Sequence, residues 1–283
     1  MMEKKMIGSV AIFVPAISPK KMGKALTLAT DTIYFDLEDS VAADQKDEAR
    51  ACLSKFLESS DGGGRCLLAR VNPIGSLWWG QDVASLANCR TLSALLLPNA
   101  DLASVTVLSD QLNRFDSHLK IVPLIETARG LEEARKAALV SSRVAALQFG
   151  GEDYTTSLGV RRTFSGEEIT YARFRLANLA RAYNLDIMDT PFTAIQELEM
   201  LAADCRRAAD MGFTGKAVIH PSHIDVVRQA FRPGEAEIEK ARRLIAAYER
   251  QIGERIGVFT FEGAMVDAPI IQRARNTLTK AGL

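Results

Sequence analysis

The residues of this chain that could do chemistry are polar ones placed at the ends of apolar runs. They are Asp36, Glu38 and Asp39 in FDLED, Arg70 in ARVN, Glu126 in LIETARG, Asp153 in FGGEDYT and His220 in VIHP. Glu126 and Asp153 end or just follow two consecutive runs, so their carboxylates can converge. Two carboxylates suit a hard cation such as Mg²⁺, which keeps waters and takes its remaining ligands from substrate. The competing reading pairs Glu126 with Arg129 and makes Asp153 a cap of the turn that follows.

Arg70 follows CLLA and precedes Asn72 and Pro73. A guanidinium there offers a fork of donors to a carboxylate or an enolate oxygen. It can equally form a rim salt bridge to Asp36, Glu38 or Asp39. Those acids can in turn accept hydrogen bonds from metal-bound water. His220 precedes Pro221, where a packed structural histidine is the more common outcome than a base. Lys20, Lys21 and Lys24 form a basic cluster that can meet a phosphate or start a solvated helix. Trp78 and Trp79 can stack on a nucleotide or simply pack a loop. Asp267, just before Ala268 and Pro269, reads locally as an N-cap.

The elements that must position these groups recur evenly. Apolar runs rich in β-branched residues begin at Ser9, Thr32, Arg65, Ala94, Lys120, Val144, Asp186 and Gly215. Helical periodicity separates them, which argues for repeated βα units. VAALQF, ALLLP and KIVPLI are near-continuous apolar runs, as strands covered on both faces require. Eight such units predict an α/β fold, a (β/α)₈ TIM barrel, whose site lies at the C-terminal strand ends. A doubly wound open sheet is the alternative, but its GxGxxG turn is absent from the sequence. Beyond the last strand, a helical segment with Pro233 and Gly234, a short hairpin or loop, and a terminal helix exceed a minimal barrel. Residues 1–230 are therefore expected to form the catalytic barrel, and 231–283 a C-terminal helical extension acting as lid or subunit-exchange element.

The chain has 283 residues, 47% of them apolar, enough for one large core. Lys plus Arg and Asp plus Glu each number 35, so the balance suggests no nucleic-acid partner. The apolar run near the N-terminus reaches Pro15 too soon for a spanning helix or a signal peptide, and a cytoplasmic protein without membrane partner is expected. Cys52, Cys66, Cys89 and Cys205 show no CxxC spacing, so reduced structural cysteines are expected.

Taken in order, FVPAISPKKMGKA, YFDLEDSVAADQKDEAR, RVN, LIETARGLEEA, ALQFGGEDYTTSLG, GFTGKAVIHPSHI and GAMVDAP resemble the HpcH/HpaI aldolase and citrate lyase β-subunit family. The resemblance runs from about Ser9 to the terminal helix. It implies a TIM barrel with a C-terminal extension, a homotrimer, and Mg²⁺ held by Glu126 and Asp153, with Glu126 also facing substrate. It implies that Arg70 contacts the keto acid and the thioester, and that Lys20 and Lys24 lie near CoA phosphates. Asp36 and Glu38 are expected to support the metal-bound ligands from behind, and Asp267 to exchange a proton in a neighbouring subunit's site. The sequence departs from the family pattern at Ala16, Lys20, Asn99, His223 and Ala264, where Gly, Arg, Lys, Gln and Lys are usual.

The implied activity is Mg²⁺-dependent carbon–carbon cleavage of a 3-hydroxyacyl-CoA thioester. Citramalyl-CoA would give acetyl-CoA and pyruvate, and malyl-CoA would give acetyl-CoA and glyoxylate. The alternatives are a citrate lyase β subunit acting on a citryl thioester of an acyl carrier protein, a malate-synthase-like or malyl-CoA thioesterase-like enzyme, and a non-catalytic CoA-binding barrel.

Overall fold

The structure, a computed structural model, describes residues 6–252 and 258–283. Residues 1–5 and the GERIG end of the expected tail helix lie outside the described residues.

In chain order the elements are β1 (Val10–Pro15), α1 (Pro19–Ala25), β2 (Thr32–Asp36), α2 (Lys46–Glu58), β3 (Cys66–Arg70), α3 (Trp79–Leu86), β4 (Ala94–Leu97) and α4 (Leu102–Arg114). Then come β5 (Lys120–Ile125), α5 (Ala128–Leu139), β6 (Ala146–Phe149), α6 (Gly151–Leu158), α7 (Glu167–Ala182), β7 (Asp186–Asp189), α8 (Leu198–Met211), β8 (Gly215–Val218) and α9 (Ile224–Phe231). Strands β1 to β8 pair in sequence order, all parallel, and β8 returns to β1 to close the barrel. All eight expected strands are present. The second ends earlier than FDLED suggested, because the Asp36 carboxylate accepts from the Glu38 and Ser40 N–H groups and turns the chain out of the sheet.

Alternate strand residues point inward. Ala11, Tyr34, Leu68, Leu96, Val122, Leu124, Ala146, Met188 and Ala217 fill the interior, with Ile7 beneath them. Closure requires a glycine where β8 meets the chain entering β1. A Cβ on Gly215 would lie 2.4 Å from the Ser9 carbonyl oxygen, closer than any side-chain carbon can approach.

Outward-facing polar residues make a sealed charge network between sheet and helices. Lys216 Nζ donates to Asp189 Oδ2 (2.5 Å) and Asp204 Oδ2 (2.8 Å). Arg173 of α7 grips both acids, with Nε and Nη2 on Asp189 and Nη1 and Nη2 on Asp204, at 2.8–3.0 Å. Two cations and two anions thus neutralise one another in a buried layer.

The chain folds as two compact units, one ending at Arg228 and one running from Gln229 to Leu283. The second holds α10 (Glu235–Ile252), a hairpin of β9 (Phe259–Phe261) and β10 (Ala264–Val266), and α11 (Ala268–Lys280). Its hairpin turns through Glu262 and Gly263, both at positive φ. Ala241, Leu244, Val266, Ile271 and Ala274 form its own small core. No described helix is long and apolar enough to cross a membrane.

Candidate active site

The inward register that puts Tyr34, Leu68 and Leu124 in the core puts Asp36, Arg70 and Glu126 two residues further along, at the top of the same strands. Below them the Tyr34 hydroxyl donates to Gln148 Oε1 (3.2 Å), while Gln148 Nε2 donates to the Phe149 and Asp189 carbonyls. This buried layer forms the floor of the site.

Arg70 is fixed on every side. Its Nε donates to Asp36 Oδ1 and its Nη2 to Asp36 Oδ2, both at 2.7 Å. Nη1 donates to Asp39 Oδ2 at 3.0 Å and stands 2.7 Å from Glu38 Oε2 as an ion pair. The guanidinium carbon lies 5.0 Å from the centre of the Phe13 ring, a cation–π contact. The second hydrogen of Nη2 has no partner among the described residues. The salt bridges expected of Arg70 to Asp36, Glu38 and Asp39 are therefore formed, and one Nη2–H is left over.

Glu126 makes no ion pair among the described residues. Arg129 turns instead to Asp101 and Glu133, so the Glu126–Arg129 pairing is not formed. The Asn99 N–H donates to Glu126 Oε1 at 2.6 Å. Burial pushes the Glu126 carboxyl up to about 8, reinforced by Glu38 and Asp153 and only partly offset by Asn99 and Arg70. Asp153 sits in the first turn of α6, whose N-cap is Gly150, so it does not cap that helix. Burial, followed by the charge of Asp39, raises its carboxyl above the ordinary range. Glu38 is likewise pushed up to about 7, first by burial, with Arg70 opposing and Asp39, Asp36 and Asp153 adding.

Gly150 is what admits this arrangement. A Cβ there would lie 2.7 Å from both Cβ and Oε2 of Glu126. On the other side of the mouth, Lys46 Nζ donates to the Leu37 and Glu38 carbonyls at 2.8 and 2.7 Å and lies 5.4 Å from the centre of the Trp78 ring.

Five carboxyls, of Asp36, Glu38, Asp39, Glu126 and Asp153, thus share the mouth with two cations, Arg70 and Lys46. Asp36 is spent on Arg70 and its own loop. That leaves an excess of oxygen donors, of which Glu38, Glu126 and Asp153 are raised in pKa, first by burial and then by neighbouring carboxylates; such a donor set is one a hard divalent cation neutralises. Among the described residues no three His, Cys, Asp or Glu side chains enclose a metal by themselves. A cation on Glu126 and Asp153 would therefore keep positions for water or substrate.

The other expected residues lie as follows. Lys20, Lys21 and Lys24 are exposed on or beside one turn of α1, with no ion pair to any described residue. His220 caps a short turn, its Nδ1 accepting from the Ser222 N–H, in keeping with a structural role. Asp267 is the N-cap of α11 and accepts from Ile270 N–H at 3.3 Å. Sequence reasoning passed over Gly150, Lys46 and Phe13, and met Asn99 only as a departure from the family pattern. The GG before Glu152 was the one available signal, since paired glycines ending a strand mark close approach.

A closed parallel barrel with an acid-lined mouth defines a metal-competent TIM-barrel enzyme. The family model for HpcH/HpaI aldolase/citrate lyase matches residues 9–221. The chain belongs to this family, and with it to the carbon–carbon lyases. Mitochondrial citramalyl-CoA lyase of Homo sapiens is 36% identical over 290 residues, covering 95% of this chain and 84% of that protein. (3S)-malyl-CoA thioesterase of Cereibacter sphaeroides is 35% identical, covering 95% of this chain and 93% of that protein. The crystal structure of CitE from Mycobacterium tuberculosis with magnesium, acetoacetate and coenzyme A superposes with a TM-score of 0.83 at 31% identity, covering 98% of this chain and 99% of that one.

Proposed function

We propose that this protein is a Mg²⁺-dependent lyase that cleaves a 3-hydroxyacyl-CoA thioester, citramalyl-CoA or malyl-CoA, into acetyl-CoA and pyruvate or glyoxylate. The observation that carries the reading is the unbalanced carboxyl cluster around one oriented arginine. Glu126 and Asp153 would hold the metal, which when bound supplies positive charge for a substrate carboxylate and hydroxyl oxygen.

The rest of the work falls to side chains of the chain itself. Cleaving the bond between the acetyl carbon and the hydroxyl-bearing carbon turns the hydroxyl into the keto group, its proton leaving to solvent at the mouth. Negative charge is left on the thioester oxygen until the acetyl carbon takes up one proton in return. Arg70, its plane fixed by Asp36 and its face by Phe13, keeps an Nη2–H to donate to that oxygen without reorganising. Glu38 and Asp39 hold Nη1 away from it. Proton exchange at the acetyl carbon is assigned to Asp267, brought by a neighbouring copy in a homotrimer. Lys20 and Lys24, exposed and unpaired among the described residues, are assigned to the CoA phosphates.

The test is keto-acid release from citramalyl-CoA and malyl-CoA by the purified protein, with Mg²⁺ and with excess chelator. Metal-dependent pyruvate or glyoxylate supports the reading and ranks the substrates; silence on both overturns it. The 35% identity to a malyl-CoA thioesterase favours one second reading, hydrolysis of malyl-CoA at the thioester. Free malate without glyoxylate would identify that activity.

A further inference from the structure

The two carboxylate oxygens of Glu126 have different surroundings. Oε1 accepts the Asn99 main-chain N–H at 2.6 Å. The residue carrying that N–H is left-handed, with φ 49, a conformation asparagine adopts readily and β-branched residues avoid, so the chain turns away from the strand while the N–H stays on Glu126. From the opposite side, Gly150 leaves space for Oε2 that a Cβ would fill at 2.7 Å. We propose that Asn99 and Gly150 are positioning residues that commit Oε1 to the main chain and leave Oε2 as the single ligating oxygen for Mg²⁺, an inference that rests on the metal assignment above.

The Asn99 side chain itself is exposed and borders a recess of about 260 Å³ lined by Pro73, Ile74, Pro98 and Ser104. It makes no hydrogen bond with a described residue, so its contribution lies in the backbone conformation it permits. The position can therefore be varied without emptying the core, whereas Gly150 lies inside the mouth, where an added methyl must displace Glu126.

The experiment is Mg²⁺ binding by calorimetry to Asn99→Gly, Asn99→Val, Gly150→Ala and Glu126→Gln, each first checked for a cooperative melt in chelator. Asn99→Val and Gly150→Ala should weaken binding about tenfold or more, as loss of a group that orients a metal ligand does. Asn99→Gly, free to adopt positive φ, should bind as the parent does, a rescue that a role for the asparagine amide would not give. Wild-type affinity in Asn99→Val overturns the clamp even where Gly150→Ala fails to fold. Undiminished affinity in Glu126→Gln overturns the metal assignment first, and the clamp with it.

Discussion

Asp36 holds Arg70 by a two-pronged contact, Nε to Oδ1 and Nη2 to Oδ2, each 2.7 Å. A lysine ammonium cannot span both oxygens and still face the mouth. Arg70→Lys should therefore lower kcat on the order of 10²–10³-fold, the usual cost of removing an oriented donor to a developing oxyanion. Mg²⁺ affinity measured by titration should stay near that of the parent. A kcat within a small factor of the parent would remove Arg70 from the reaction and leave it a rim salt bridge.

Asp153 is exposed at the start of α6 rather than packed in the core. Asp153→Asn should collapse turnover and weaken Mg²⁺ binding while the melting temperature in chelator changes little. Unchanged activity at limiting Mg²⁺ is the result that would sink the ligand assignment.

Asp267 caps α11 within its own unit. Asparagine caps about as well as aspartate, so Asp267→Asn separates the two roles. We expect turnover to fall with melting temperature and Mg²⁺ affinity retained. Intact turnover would reduce Asp267 to a cap, whose removal by alanine costs about 1 kcal/mol.

Acid stability should depend on the network outside the barrel. Burial pushes the Asp204 carboxyl up, but the charges and hydrogen bonds of Lys216 and Arg173 outweigh it and hold it well below the ordinary range. A carboxyl depressed in the folded state adds stability that is present above its unfolded value, about pH 3.9, and is lost as pH falls from there through the folded value. Asp204→Asn should thus destabilise the protein at neutral pH by about 3–5 kcal/mol, since Lys216 and Arg173 stay buried and short of a partner. Denaturant titrations at descending pH should show the parent and variant converging below about pH 4. Parallel curves would mean Asp204 carries no such linkage.

The barrel was legible because eight apolar runs cannot be covered on both faces in many other ways, and each expected strand appears where its run lies. The placing of Arg70 and Glu126 at the mouth was legible because a strand that ends on a charge in a parallel barrel ends there, and Asp153 follows its strand closely, on the first turn of α6. What escaped was set by conformation or by partners far apart in sequence. The service of Asn99 to Glu126 passes through a main-chain N–H and a positive φ, neither of which residue identity displays. The quartet of Arg173, Asp189, Lys216 and Asp204 comes from α7, β7, β8 and α8, and along the chain each of these looks like a solvated surface charge. Lys46 likewise reads as the polar start of a helix until the FDLED loop folds its carbonyls onto it.

The Tyr34–Gln148 layer, with Ile7 and the apolar interior beneath it, closes the barrel below Arg70 and Glu126, so among the described barrel residues these two groups are reached from the mouth. Whatever enters to react must depart by the way it came.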